Sequence, residues 1–157
     1  MSPVAAWGRL SDAARDRILA IVLGAPAWLV LGIAAWLDAD PAGHGTHKQL
    51  GLGTCTILAM TGWPCPMCGM TTTFTHMAHL SPLDAVVTQP FGVVLFLGTV
   101  AVALLALADL VRPAARLTQA WAWMVRHEGA VASSLLAGLV AGWVYKLFQM
   151  QAGPFGG

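Results

Sequence analysis

The chain has 157 residues, of which 57% are hydrophobic and only 10% charged, with a mean hydropathy of +0.70. That is too apolar for a water-soluble domain, so a lipid bilayer is the expected solvent and one membrane domain over residues 1–157 the expected organisation. Eight basic against seven acidic residues leave a net charge of +1, which offers no basic patch and argues against nucleic acid as a partner.

The first long apolar run, "ILAIVLGAPAWLVLGIAAWL" over residues 18–37, is uncharged and meets the requirement of roughly 20 apolar residues for a spanning helix. Pro26 is expected to kink it, because its ring removes a backbone hydrogen bond. The charged lead before this run and the length of the run fit a retained anchor better than a cleaved signal peptide. The stretch "DADPAGHGTHKQ" that follows has turn composition and reads as a solvated loop, in which His44 and His47 are available as extra ligands. Leu50 to Trp63 is apolar but too short to span, so it is expected to lie at the interface, to re-enter the membrane, or to pack on other helices.

The next residues, "CPMCGMTTTF", carry the chemistry. Proline favours the first helical position, so the pattern predicts Cys65 as an N-cap, Pro66 as the first helical residue and Cys68 within the first turn. A sulfur at a helix start is favoured as thiolate, which would make Cys65 more acidic than Cys68, while Cys55, in an apolar run without such a start, should titrate higher and react slowly. Gly69 leaves room for close approach of backbone or ligand. Beyond it, Met70, Phe74 and Met77 recur at the spacing of a buried stripe, with Cys68, Thr72, His76 and His79 on another face. Thr71, Thr72, Thr73 and Thr75 are expected to bond back to the preceding turn.

"SPLD" from Ser81 predicts a second short helix with a capping serine and Pro82 in its first position. The whole segment over residues 50–89 is thus a structured helical element carrying the cysteine pair. Pro90 opens the second span, residues 91–111, whose Asp109 is expected to pair with Arg112 or Arg116. Residues 114–127 hold Leu117, Trp121, Met124 and Val125 at helical spacing beside Arg116 and Arg126, an amphipathic pattern that suits the headgroup region. The third span, residues 130–148, ends near Lys146, placed to snorkel. Its Ser134, Gly138 and Gly142 recur every four residues and allow close approach of another helix, from this chain, from a membrane-protein partner or from a second copy.

Arginines 9, 15 and 17 precede the first span and arginines 112, 116 and 126 separate the second from the third, whereas only Lys48 lies between spans one and two. The positive-inside rule then places the N-terminus in the cytoplasm and the cysteine segment outside it. The expected fold is an all-α integral membrane protein of three transmembrane helices with a re-entrant or interfacial, extracytoplasmic helical segment bearing the Cys-x-x-Cys motif.

A Cys-x-x-Cys pair supports a redox dithiol, two ligands of a metal, or a structural disulfide. Adding His76 and His79 to Cys65 and Cys68 makes a set suited to zinc, and adding Met67, Met70 or Met77 favours monovalent copper. At about 1.5 Å rise per residue, His76 and His79 would sit roughly 12 and 16 Å beyond Cys68, so a single ion would need a break in the helix.

Together, "CPMCGMTTTF", "SPLDAVVTQP" and the spanning helix after them resemble the small bacterial membrane proteins grouped as domain of unknown function family 2752. The matching residues are Cys65, Pro66, Cys68, Gly69 and Thr71, then Ala85 and Pro90. Thr72 replaces the usual arginine, Ser81 the glycine and Gln89 the asparagine. The resemblance implies a motif and a fold in the bacterial inner membrane, not a reaction. No phosphate loop, acidic pair or zinc-protease helix is present to suggest a hydrolase or transferase. Two functions stay open: a membrane protein whose cysteine pair exchanges or binds metal, and a non-enzymatic accessory or assembly subunit whose cysteines are structural. A transporter is disfavoured, because Asp109 is the only charge well inside the spans.

Overall fold

A computed structural model describes residues 11–53 and 55–152; Arg9, one of the charges used for orientation, lies outside the described residues. Among those residues the chain is all helical, with seven helices and no strand: α1 Asp12–Trp36, α2 Thr56–Thr61, α3 Met70–Ala78, α4 Pro82–Thr88, α5 Pro90–Val111, α6 Arg116–Arg126 and α7 Glu128–Ala152. A short 3-10 helix, Thr46–Leu50, precedes α2. Helices α1, α5 and α7 are long and apolar enough to cross a membrane, and each contains the span read from the sequence almost to its ends. Helix α1 continues through Pro26. Large side chains such as Leu29, Val111 and Phe148 stand outward, each 64–70% exposed. Left in water such surface would cost about 25 cal/mol per Å², which lipid contact removes.

The chain packs as two compact units. The first draws on the residues up to Val30 and on Gly98–Val131. Its core is Ala20, Ala106 and Leu117, flanked by Val102 and Leu105. Small residues set the spacing there, since a Cβ on Gly24 would come within 2.5 Å of the Ala106 Cβ. Two buried or half-buried carboxylates organise the start of α6. Asp16 accepts from the Ala115 amide at 3.0 Å. Asp109 accepts from the Leu117 amide at 3.0 Å and from Arg116 Nη1 at 3.0 Å. The expected ion pair therefore forms with Arg116, while Arg112 supplies only its carbonyl to the same guanidinium at 2.9 Å. In α6 Leu117 is buried and Trp121, Trp123, Met124 and Val125 are exposed, as an amphipathic helix on a boundary requires.

The second unit comprises Leu31–Leu97 and the residues from Ala132 onward. Here the segment expected to be a solvated loop is folded instead. Gln49 and Asp38 exchange two hydrogen bonds at 2.6 and 3.1 Å, Asp40 N–H donates to Thr46 Oγ1 at 3.0 Å, and Thr46 is fully buried. Turn composition marks where the chain bends, but it carries no information on what the bend packs against. Two α7 glycines serve contacts inside the chain: a Cβ on Gly138 would fall 2.5 Å from the Phe91 ring, and one on Gly142 3.0 Å from Phe91 Cβ and Gln89 Oε1. Ser134 stays exposed. Helix α4 begins with Ser81 in the N-cap position and Pro82 first, as expected, but the serine makes no side-chain cap bond.

Candidate functional site: a three-cysteine cavity

The cysteine motif does not start a helix at Cys65. Residues 66–69 form a turn, closed by the Cys68 N–H on the Cys65 carbonyl at 2.9 Å and by the Met70 N–H on the Met67 carbonyl at 3.1 Å. Helix α3 begins only at Met70, after Gly69 in a left-handed conformation, φ 86°. The glycine is required twice over. A side chain is strained at that φ, and its Cβ would lie 2.8 Å from the Gly43 carbonyl. A left-handed residue interrupts the amide ladder, so the proline rule located a turn rather than a helical N1.

The turn is held from α7. Trp143 Nε1–H donates to the Pro64 carbonyl at 2.9 Å, just before the motif. Lys146, expected to snorkel, is instead completely buried. Its ammonium donates to the Gly43 and Thr88 carbonyls, each at 3.2 Å, and to Gln149 Oε1 at 3.0 Å. Three oxygen acceptors offset the desolvation of the cation, which is how a lysine stays inside a fold. Sequence reading missed this cluster. Its signal was a lysine and a glutamine near the end of an otherwise apolar span.

The threonines of α3 also part from expectation. Only Thr75 bonds back to the preceding turn, its hydroxyl donating to the Thr71 carbonyl at 3.0 Å. Thr72 pairs with Thr46, hydroxyl to hydroxyl at 2.8 Å, and Thr73 Oγ1 donates to the Ala85 carbonyl at 3.5 Å. Thr72, Thr73 and Thr75 are fully buried, whereas Met70, Phe74 and Met77 are only half-buried. Apolar periodicity marks the buried face in water; beside lipid an apolar face can equally point outward. Phe74 packs edge-on against Phe96, with ring centroids 5.3 Å apart.

Above this scaffold opens a cavity of about 440 Å³ lined by Cys55, Cys65 and Cys68, with Met67, Met70, His44, His47, Lys48, Gly69, Thr71 and Thr72 around them. All three cysteines are free thiols. The motif residues Cys65, Cys68, Gly69, Thr71 and Thr72 are thus brought together, and Cys55 joins them. His76 and His79 go elsewhere. His76 borders a separate cavity with Asp40 and Asp84, and His79 Nε2 lies 3.0 Å from the Ala35 carbonyl. Among the described residues no three His, Cys, Asp or Glu side chains gather in a way that could hold a metal ion. The set of Cys65, Cys68, His76 and His79 is therefore not assembled.

The three thiols differ electrostatically, and the one held low is Cys55 rather than Cys65. The backbone amides of Leu58 and Ile57 and contact with the Cys65 thiol hold Cys55 below its ordinary value, with the amide of Leu58 the largest influence. Burial and the neighbouring Cys55 raise Cys65. Burial pushes Cys68 up to about 11, although the Lys146 charge works against the rise. The residue that precedes the short helix α2 is Cys55, so the thiol at a helix start is not the one the proline pattern marked.

Comparison with known proteins adds one match. No curated protein and no solved structure matches the chain. The model of one family matches residues 55–103, an interval that begins at Cys55, contains all three cysteines and runs well into α5. That stretch is similar to the family described as "Protein of unknown function (DUF2752)", the family the cysteine motif resembles.

Proposed function

We propose that this is a multi-pass protein of a bacterial inner membrane whose extracytoplasmic face carries a thiol–disulfide site in the three-cysteine cavity. The observation that carries the reading is the convergence of Cys55, Cys65 and Cys68 on one cavity large enough to admit a small ligand or a peptide loop. Structural cysteines are buried and inert, while reactive ones are partly exposed beside groups that stabilise a thiolate. Cys55 and Cys65 are partly exposed, and Cys55 meets backbone amides. The placement of arginines supports a cytoplasmic N-terminus, which sets the cavity on the oxidising side where disulfides persist. The segment before α5 sits at or within the outer interface as a stack of short helices.

The test is a redox titration. The full chain, in detergent or nanodiscs, is equilibrated against dithiol–disulfide buffers and its free thiols are counted after an acid quench. An exchanging pair should titrate between about −120 and −270 mV, the span of known exchange proteins. A midpoint below about −300 mV marks a structural disulfide and supports the accessory-subunit reading instead. Metal bound at one equivalent by the reduced protein, with protection of the thiols that only a chelator removes, would favour a ligand site.

A further inference from the structure

Of the three thiols that line the cavity, the two left accessible lie near each other, and they are not the two of the Cys-x-x-Cys motif. The Cys65 thiol has Cys55, ten positions earlier in sequence, as its neighbour on the cavity wall. Cys68 is buried, 6% exposed, while Cys55 and Cys65 remain accessible. The turn geometry explains this arrangement. The Cys65 carbonyl closes on the Cys68 amide and the chain passes into left-handed Gly69, which lies against the Gly43 carbonyl and the Lys146 ammonium, so Cys68 is buried. Cys65 is left on the cavity wall with Cys55.

Resting on the thiol–disulfide reading above, we infer that the working pair is Cys55 and Cys65, with Cys55 the entering nucleophile, and that Cys68 is the buried third thiol that does not take part in the first exchange. The substrate class is an accessible disulfide small enough to enter the cavity. The Cys55 thiolate attacks one sulfur of the substrate disulfide, forms a Cys55–substrate bond and expels the other sulfur as a thiolate. That leaving thiolate takes up the proton lost by Cys55. The Cys65 thiolate then attacks the Cys55 sulfur, forms the Cys55–Cys65 disulfide and releases the second substrate sulfur, which takes the proton lost by Cys65. The substrate disulfide is reduced to two thiols as the protein dithiol is oxidised.

Cys55 stands at the N-cap of α2 with its thiol held below the ordinary value, and a raised thiol at Cys65 is a poor leaving group. That asymmetry favours attack through Cys55 and makes the Cys55 sulfur the better leaving group when the pair is reopened.

The experiment uses the reduced full-length protein with an aromatic disulfide that releases a coloured thiolate, followed by non-reducing peptide mapping. Oxidised glutathione and a peptide with an intrachain disulfide are run alongside to separate small-molecule from polypeptide substrates. The wild type and Cys68→Ser should each release two coloured equivalents in quick succession and yield a Cys55–Cys65 disulfide. Cys65→Ser should stop after one rapid equivalent, with the mixed disulfide on Cys55. Wild-type protein is mapped directly, so the assignment does not depend on a variant that misfolds. A Cys65–Cys68 disulfide as the first wild-type product overturns the pair while leaving the thiol–disulfide reading intact. Stable mixed disulfides with no intramolecular bond, and no reaction with either glutathione or peptide, overturn both.

Discussion

Reduced protein exposed to a trace of a small alkylating reagent at neutral pH should be labelled fastest at Cys55 and slowest at Cys68. The size of the gap follows from the cavity. Raising a thiol from its ordinary value of 9.0 to about 11 lowers its thiolate fraction at neutral pH about 100-fold. The more basic thiolate is intrinsically more nucleophilic, and a Brønsted coefficient of about 0.4–0.5 returns roughly 6–10-fold. Cys68 should therefore react about 10–15-fold more slowly than an ordinary thiol on charge grounds, and more slowly still because it is buried. Cys55, held below the ordinary value, should exceed an ordinary thiol at the same pH. Site-resolved mass spectrometry of the quenched protein across a pH series gives the three rates from one sample. The Cys55 rate should level off at lower pH than the other two, and Cys68 should still be climbing at the alkaline end. Placing Cys65 at a helix start gives a different order, with Cys65 first and Cys55 slow. That order, or equal rates at all three, would refute the cavity reasoning.

Further outcomes follow from the scaffold. Asp109→Asn removes the carboxylate that Arg116 and the Leu117 amide share, so thermal unfolding in detergent should show a loss of about 2–3 kcal/mol, the scale of charged hydrogen bonds; an unchanged melting curve would mean the pair contributes nothing. Lys146→Met leaves the Gly43 and Thr88 carbonyls without their donor, and a loss of about 2–4 kcal/mol is expected for buried groups left unpaired, read by the same assay. Gly69→Ala should fold poorly, since the new Cβ meets the Gly43 carbonyl at 2.8 Å, whereas Gly32→Ala, with nothing within 4 Å, should be neutral or stabilising by up to about 1 kcal/mol. Gln89 is fully buried and neither of its side-chain polar atoms has a partner among the described residues, so Gln89→Met should raise the melting temperature, and a fall would show that the amide is satisfied in the membrane. Reporter fusions within 38–49 and at the C-terminus should both read as extracytoplasmic; a cytoplasmic signal from the first would reverse the orientation.

Much of the architecture was legible in the residues alone, for a plain physical reason. A chain that crosses hydrocarbon must satisfy its backbone internally over roughly 20 apolar residues, so α1, α5 and α7 announce themselves by length and composition. Proline before α4 and α5 and the amphipathic repeat of α6 are equally local signals, and each was found within a few residues. The Asp109 pair was anticipated because helical spacing limits its partners, although choosing Arg116 over Arg112 required the turn before α6.

The cavity was decided by tertiary structure. Nothing local distinguishes a Cys-Pro-x-Cys turn that starts a helix from one that ends in a left-handed glycine, because the choice depends on the Gly43 carbonyl lying against Gly69. Cys55 looked like one more residue of an apolar run until folding set it beside Cys65. Lys146 looked like an interfacial anchor until three oxygen acceptors gathered round its ammonium. His76 and His79 shared a helical face with Thr72, yet a face is only a direction, and the neighbours that fill it come from distant parts of the chain. Spacing therefore determined which residues could be chemically active, and long-range packing determined which of them meet.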